Sequence, residues 1–173
     1  MTSMDPTTVL EFRRDKDAFF KDSFDSPLPY DVRKQFSGLS YFDPNPDLVF
    51  TLPVEPGDGK EIVIKTSDER DRIYRRAGQV SFEVAGNEVT LTVYDTGHPG
   101  YFLPFRDSTS GKETYGAGRY LELDTNDDGT ITIDFNMAYN PYCVYNEGYS
   151  CPIPPVDNWL QVPIEAGEKD FVG

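Results

Sequence analysis

The sequence predicts a mainly β protein, an antiparallel β-barrel or strongly curved sandwich of about eight strands with one or two N-terminal helices. Three observations predict it. Apolar and polar residues alternate with period two from residue 48 onward. Clusters of Gly, Asn, Asp and Pro separate the alternating segments. Between those segments almost no helical pattern intervenes. The 173 residues match one domain. It spans 1–173, with a helical segment at 5–36 packed on an antiparallel body at 48–165.

Residues 5–22 carry helix-start signals. Asp5-Pro6 offers an N-cap followed by Pro at the first helical position, and Thr8-x-x-Glu11 has the form of a capping box. Val9, Phe12, Phe19 and Phe20 give an imperfect apolar face. A second short helix is expected at 30–36, after SPLP, and GLSYFDPNPD reads as a turn-rich connection. Then LVFTLPV, EIVIKT, RIYRRAGQVSFEVA, EVTLTVYD, YFLPF, RYLELD, TITIDF and NWLQVPI read as strands. Residues 85–88 and 126–129 are hairpin turns. CPIPPVDNW is a rigid, polyproline-like strap that closes one end.

Charge narrows the function classes. Thirty acidic residues against 16 basic ones leave a net charge of −14, which repels nucleic-acid phosphates. Nineteen of the acids are Asp, and Lys occurs only seven times. No run of about 18 apolar residues is present, so no membrane helix is expected. The first residues, MTSMDPTTVLEFRRDKD, show no apolar signal region, which points to a cytoplasmic protein.

The richest chemistry lies between Pro104 and Leu160. Arg106, Asp107, Thr109, Ser110, Thr114, Tyr115 and Arg119 combine two planar cation forks with hydroxyls and a Gly-rich backbone. This set suits a carboxylate, phosphate or sugar, and equally an ion-pair network that staples a long loop. TYGAGRY lacks the third glycine of a dinucleotide fingerprint, and GKET is not a phosphate-binding P-loop. Asp134, Asn136, Tyr139 and Asn140 form a second group, in which Asp107 with Asp134 are the candidate acid/base pair and the amides candidate oxyanion donors. Asn140-Pro141 also reads simply as a turn. Tyr115, Tyr120, Tyr139, Tyr142 and Tyr145 are candidate pocket walls or core.

Cys143 and Cys151 are the only cysteines, and C-x7-C is not a zinc spacing. They are read as structural, bridged or packed, ahead of metal ligands or a nucleophile, because the only histidine is His98. Asp124-x-Asn126-x-Asp128-Gly129 matches half of a calcium loop, but Phe135 stands where a bidentate Glu belongs. No metal and no cofactor is expected.

PFRDSTSGKETYGAGRYL, DFNMAYNPYCVYN, CPIPPVDNWL and IEAGEK, with RRDKDAFF and SGLSYFDPNP nearer the start, resemble an uncharacterised prokaryotic family, the domain of unknown function 1684. The family pattern has Ala where this chain has Val144, and His98 lies outside the matching motifs. The resemblance implies a shared fold and site but no activity.

The functional expectation is a small polar or anionic ligand bound at one end of the barrel by Arg106, Asp107, Tyr115, Arg119, Asp134, Asn136, Tyr139 and Asn140. An acid/base hydrolase or isomerase using Asp107 and Asp134 is the alternative, and a non-catalytic structural or interaction domain is the third reading. The sequence does not specify an oligomeric state. The acid excess itself has two readings, adaptation to high cytoplasmic salt or an ordinary acidic protein. Screening within ~3 Å at 1 M salt would relieve the self-repulsion of a halophilic surface. Melting temperatures at low and molar KCl separate the two, since only a salt-adapted surface gains stability with KCl.

Overall fold

A computed structural model describes residues 5–171. Residues 1–4 and 172–173 of the expected 1–173 domain lie outside the described residues. Helix α1 spans Pro6–Asp22. Asp5 is its N-cap, accepting from the Thr7 N–H at 3.0 Å, with Pro6 in the first turn. The capping-box reading shifts accordingly: Thr8 donates its hydroxyl to Asp5 and does not itself cap. Val9, Arg13 and Phe20 are the buried residues of α1, while Phe12 and Phe19 stay exposed. Helix α2 is the short Tyr30–Gln35.

Eight strands follow: β1 Val49–Leu52, β2 Glu55–Pro56, β3 Glu61–Lys65, β4 Asp71–Val84, β5 Asn87–Asp95, β6 Tyr101–Phe105, β7 Arg119–Leu123 and β8 Ile131–Asp134. Six of them form one antiparallel sheet in the order β2-β4-β5-β6-β7, with β3 also on β4. Strands β1 and β8 pair separately, Val49 opposite Asp134. Neither sheet closes on itself, so the architecture is the curved sandwich and not the barrel. The long β4 serves two edge partners in turn. Its first half pairs with β3 and its second with β2, and the bulge between Arg76 and Gly78 marks the change. Ala85 and Gly86, both at positive φ, make the two-residue turn into β5.

Alternation along the strands sends one set of side chains to the core. Leu91, Val93, Leu103, Phe105, Leu121 and Leu123 of the large sheet meet Ile131, Ile133 and Phe135 across the sandwich. Phe135 is at the centre, with ring centroids 5.3 Å from Phe105, 5.6 Å from Phe82 and 6.2 Å from Phe50. A second, smaller cluster joins Phe20 of α1 to Leu28 and Tyr145.

The expected last strand, NWLQVPI, is not a strand. Val156–Asn158 make a 3-10 turn, and the chain then runs as an extended strap. Pro154, Pro155 and Pro163 have no N–H to give to a ladder. The strap is held instead by single bonds: Leu160 N–H to the Arg106 carbonyl at 2.8 Å, and Ser108 N–H to the Val162 carbonyl at 3.1 Å. Inside the sandwich, Asn158 donates its amide to the carbonyls of Thr92 and Pro104, both at 2.8 Å.

Truncating the central ring should be severe. Phe135→Ala is expected to lower unfolding stability by about 3–5 kcal/mol, measured by urea denaturation.

Candidate functional site

The residues singled out between Pro104 and Leu160 fall into separate places. Arg119 opens β7 and, like Leu121 and Leu123 after it, points into the interior, where it is fully buried. Its guanidinium lies over the Phe105 ring at 5.2 Å and donates to the carbonyls of Ile164 at 2.8 Å, Glu168 at 3.2 Å and Ala166. Asp107 approaches the same fork at 3.6 Å. Its carboxylate also accepts from the Thr109 hydroxyl at 2.9 Å, the Ser110 hydroxyl at 3.2 Å and the Ile164 N–H at 2.5 Å. Burial pushes the Arg119 pKa down to about 10, opposed by Asp107 and then Glu168, so the cation persists at neutral pH. Gly118, at φ +113°, lets β7 begin here, since a Cβ would stand 2.4 Å from the Phe105 carbonyl.

The strap's far end continues the network. Buried Glu168 accepts from the Asn140 N–H at 3.0 Å and the Tyr145 hydroxyl at 2.9 Å, and it pairs with Lys16 of α1. Asn140 donates to the Lys169 carbonyl at 2.9 Å. Gly167, at φ +81°, permits the close passage, because a Cβ would meet the Phe135 and Ala138 carbonyls at 2.8 Å. Asp134 caps the following turn by accepting from the Asn136 N–H at 2.9 Å. Asn136 clamps Asn45 in both directions, accepting from its N–H at 2.7 Å and donating to its carbonyl at 2.9 Å. Arg106 lies apart, its guanidinium over Trp159 at 4.5 Å.

Asp107 and Asp134 are therefore not a pair. The first is bonded to Arg119, two hydroxyls and an amide, and the second caps a turn. At the tip of the β7–β8 connection, Asp128 accepts from Thr130 N–H at 3.0 Å, and Asn126 donates to Thr130 and Thr132. The calcium-like segment is thus a locally bonded hairpin turn.

An open cleft lies on the other face of the large sheet. Strand β5 ends at Asp95, opposite Arg75, and beyond that end Tyr74 of β4 reaches Phe102 of β6. The rings form a row: Tyr74 to Phe102 at 5.8 Å, Phe102 to Tyr120 at 4.9 Å, and Tyr120 to Tyr139 at 5.8 Å. They floor a cleft of about 770 Å³ whose rim carries Arg72, His98, Glu122 and Asp124. Tyr139 donates to Glu122 at 2.9 Å. Tyr120 donates to the Pro152 carbonyl, and Arg72 to the Ser150 carbonyl at 2.6 Å, and Pro152 lines one side of the cleft. Burial raises the pKa of both Tyr120 and Tyr139, in Tyr139 reinforced by the Glu122 charge, and both are neutral donors at pH 7.

Of the site residues proposed from sequence, Tyr139 alone lines this cleft, and Tyr120 joins it from the wider set of tyrosines. Tyr74, Phe102, Glu122 and Arg72 were not singled out. A partial signal was present: Phe102 on β6 and Glu122 on β7 alternate with core residues, and Tyr74 and Phe102 are aromatic where an exposed face would carry polar groups. His98, set aside for lying outside the shared motifs, is on the rim. Tyr115 sits elsewhere, beside Cys143, with its pKa pushed up to about 12, first by burial and then by that thiol.

A family model described as a protein of unknown function, DUF1684, matches residues 34–169. The chain belongs to this family. The match takes in the whole segment from Pro104 to Lys169, including both arms of the Arg119 network, and leaves α1 outside. The DUF1684 chain is also similar to an uncharacterized protein of Haloarcula marismortui solved by NMR in solution. The two are 38% identical, with a TM-score of 0.71 over 94% of this chain and 92% of the other. No curated protein matches it.

Removing Arg119 would leave Asp107 charged and buried and three carbonyls without donors. Arg119→Met is expected to lose about 3–5 kcal/mol in urea denaturation, with part recovered when Asp107→Asn is added.

Proposed function

We propose that the protein binds a small polar ligand on the aromatic floor of the cleft. The observation that carries this reading is the unbroken row of Tyr74, Phe102, Tyr120 and Tyr139 rings with carboxylates at its rim. Rings in a row offer apolar faces for a ring or chain to lie on, and a few placed polar groups set its orientation. Glu122 and Asp124 accept hydrogen bonds, so the fitting ligand presents donors, as a sugar hydroxyl or an amine does. An anion fits less well: Arg119 and Arg106 are engaged elsewhere, Arg72 is bonded to Ser150, and the net charge is −14. The acid/base alternative depended on Asp107 and Asp134, and their engagement in fixed bonds favours binding over it.

Titration of the isotope-labelled protein with a panel of monosaccharides and one of small amines tests the reading. The amides of Tyr74, Phe102, Tyr120 and Glu122 should shift with a member of one panel. Phe102→Ala should weaken that binding about fivefold, the loss of about 1 kcal/mol of stacking, whereas Arg106→Ala should leave it unchanged. Shifts centred on Arg106 and Trp159, or none with either panel, would contradict it.

A further inference from the structure

The two cysteines lie together in space although seven residues separate them in sequence. Cys143 is in the 3-10 turn Tyr142–Val144, and its N–H points at the Cys151 sulfur, 3.3 Å away. Both are free thiols, Cys143 half-buried and Cys151 buried. Their surroundings differ. The neighbouring Cys151 thiol, and after it the nearby Tyr115 and Ser67 side chains, hold the Cys143 pKa below the usual thiol value against the opposing effect of burial. Proximity to Cys143 pushes Cys151 up, and burial adds to this. One thiol is therefore the accessible attacking group and the other the protected resolving group.

Cys151 directly precedes Pro152, which lines the cleft. Cys151 exchanges bonds with the end of β3, donating its N–H to the Ser67 hydroxyl at 3.1 Å while its carbonyl accepts from the Ser67 N–H at 2.9 Å. The residue before it holds Arg72 through the Ser150 carbonyl, and the residue after it holds Tyr120 through the Pro152 carbonyl. Two cleft residues are thus bonded to the residues on either side of Cys151.

We propose that Cys143 and Cys151 are a reversible dithiol–disulfide site whose oxidation reshapes the wall of the aromatic cleft. The oxidant is a low-molecular-weight disulfide. The Cys143 thiolate attacks one sulfur, forming a mixed disulfide and releasing the first small thiolate. Cys151 gives up its proton and attacks the Cys143 sulfur, releasing the second. Two protein thiols become one disulfide, and one small disulfide becomes two thiols, which carry away the two protons. The consequence for ligand binding rests on the reading of the cleft given above, but the thiol chemistry does not.

Glutathione disulfide is the probe, with intact mass and amide spectra as readouts. The wild-type protein should lose two hydrogens, retain no glutathione, stay uncrosslinked and return to its starting mass with dithiothreitol. Cys151→Ser should stop at one glutathione on Cys143, and Cys143→Ser should react far more slowly. In the oxidised wild-type protein the amides of Arg72 and Tyr120 should shift. Retained glutathione, disulfide-linked dimers or unreactive thiols in the wild-type protein would overturn the site, and that arm requires no variant. An intramolecular disulfide that leaves Arg72 and Tyr120 unmoved would overturn its coupling to the cleft. Failure of the cleft reading is seen separately, as the absence of ligand shifts in the reduced protein.

Discussion

A single buried guanidinium organises the C-terminal third of this fold. The strap after Asn158 pairs with the sandwich through one parallel bridge, Trp159 to Arg106, so most of its backbone groups need other partners. Arg119 donates to three of its carbonyls, and Asp107 takes the Ile164 N–H. Each group justifies the burial of the other. The fork would be costly without the carboxylate, and the carboxylate without the fork. From Glu168 the same chain of contacts reaches Lys16 and so attaches α1. Arg13, bonded to the Phe42 carbonyl at 2.7 Å, ties the helix to the connection on its other flank.

This arrangement gives the large sheet two unlike faces. Along β7, Arg119, Leu121 and Leu123 face inward, where the lock and the core are built. Tyr120 and Glu122 face the cleft. One strand thus serves both the stability of the fold and the surface offered to a ligand. The densest run of polar motif residues lies on the stability side, whereas the cleft is built from residues spread over β4, β6 and β7 that form no contiguous motif.

That separation explains what could be read from sequence. The strands of the body were legible because period-two alternation is local, and the 85–88 turn because Ala-Gly takes the positive φ values a tight hairpin needs. NWLQVPI alternates as a strand does, but Pro154, Pro155 and Pro163 around and within it cannot donate to a ladder, and the segment is a strap. Arg106, Asp107, Arg119 and Asp134 were legible as polar residues of one stretch, although only Asp107 and Arg119 meet. Their partners were not, since Arg119 bonds to backbone carbonyls some 45–49 residues away, which no side-chain pattern announces. The aromatic row was hidden for a related reason: Tyr74, Phe102, Tyr120 and Tyr139 come from four separate segments, and only the folded sheet brings their rings together.

The central claim is that the strap belongs to the core through Arg119 and Asp107. Native-state amide hydrogen exchange measures this directly. The amides of Ile164 and Glu168, bonded to the Asp107 carboxylate and the Ala138 carbonyl, should exchange only with global unfolding, at the same free energy as those of Leu103 and Leu121. Exchange of Ile164 and Glu168 through local opening, well below that free energy, would contradict the account.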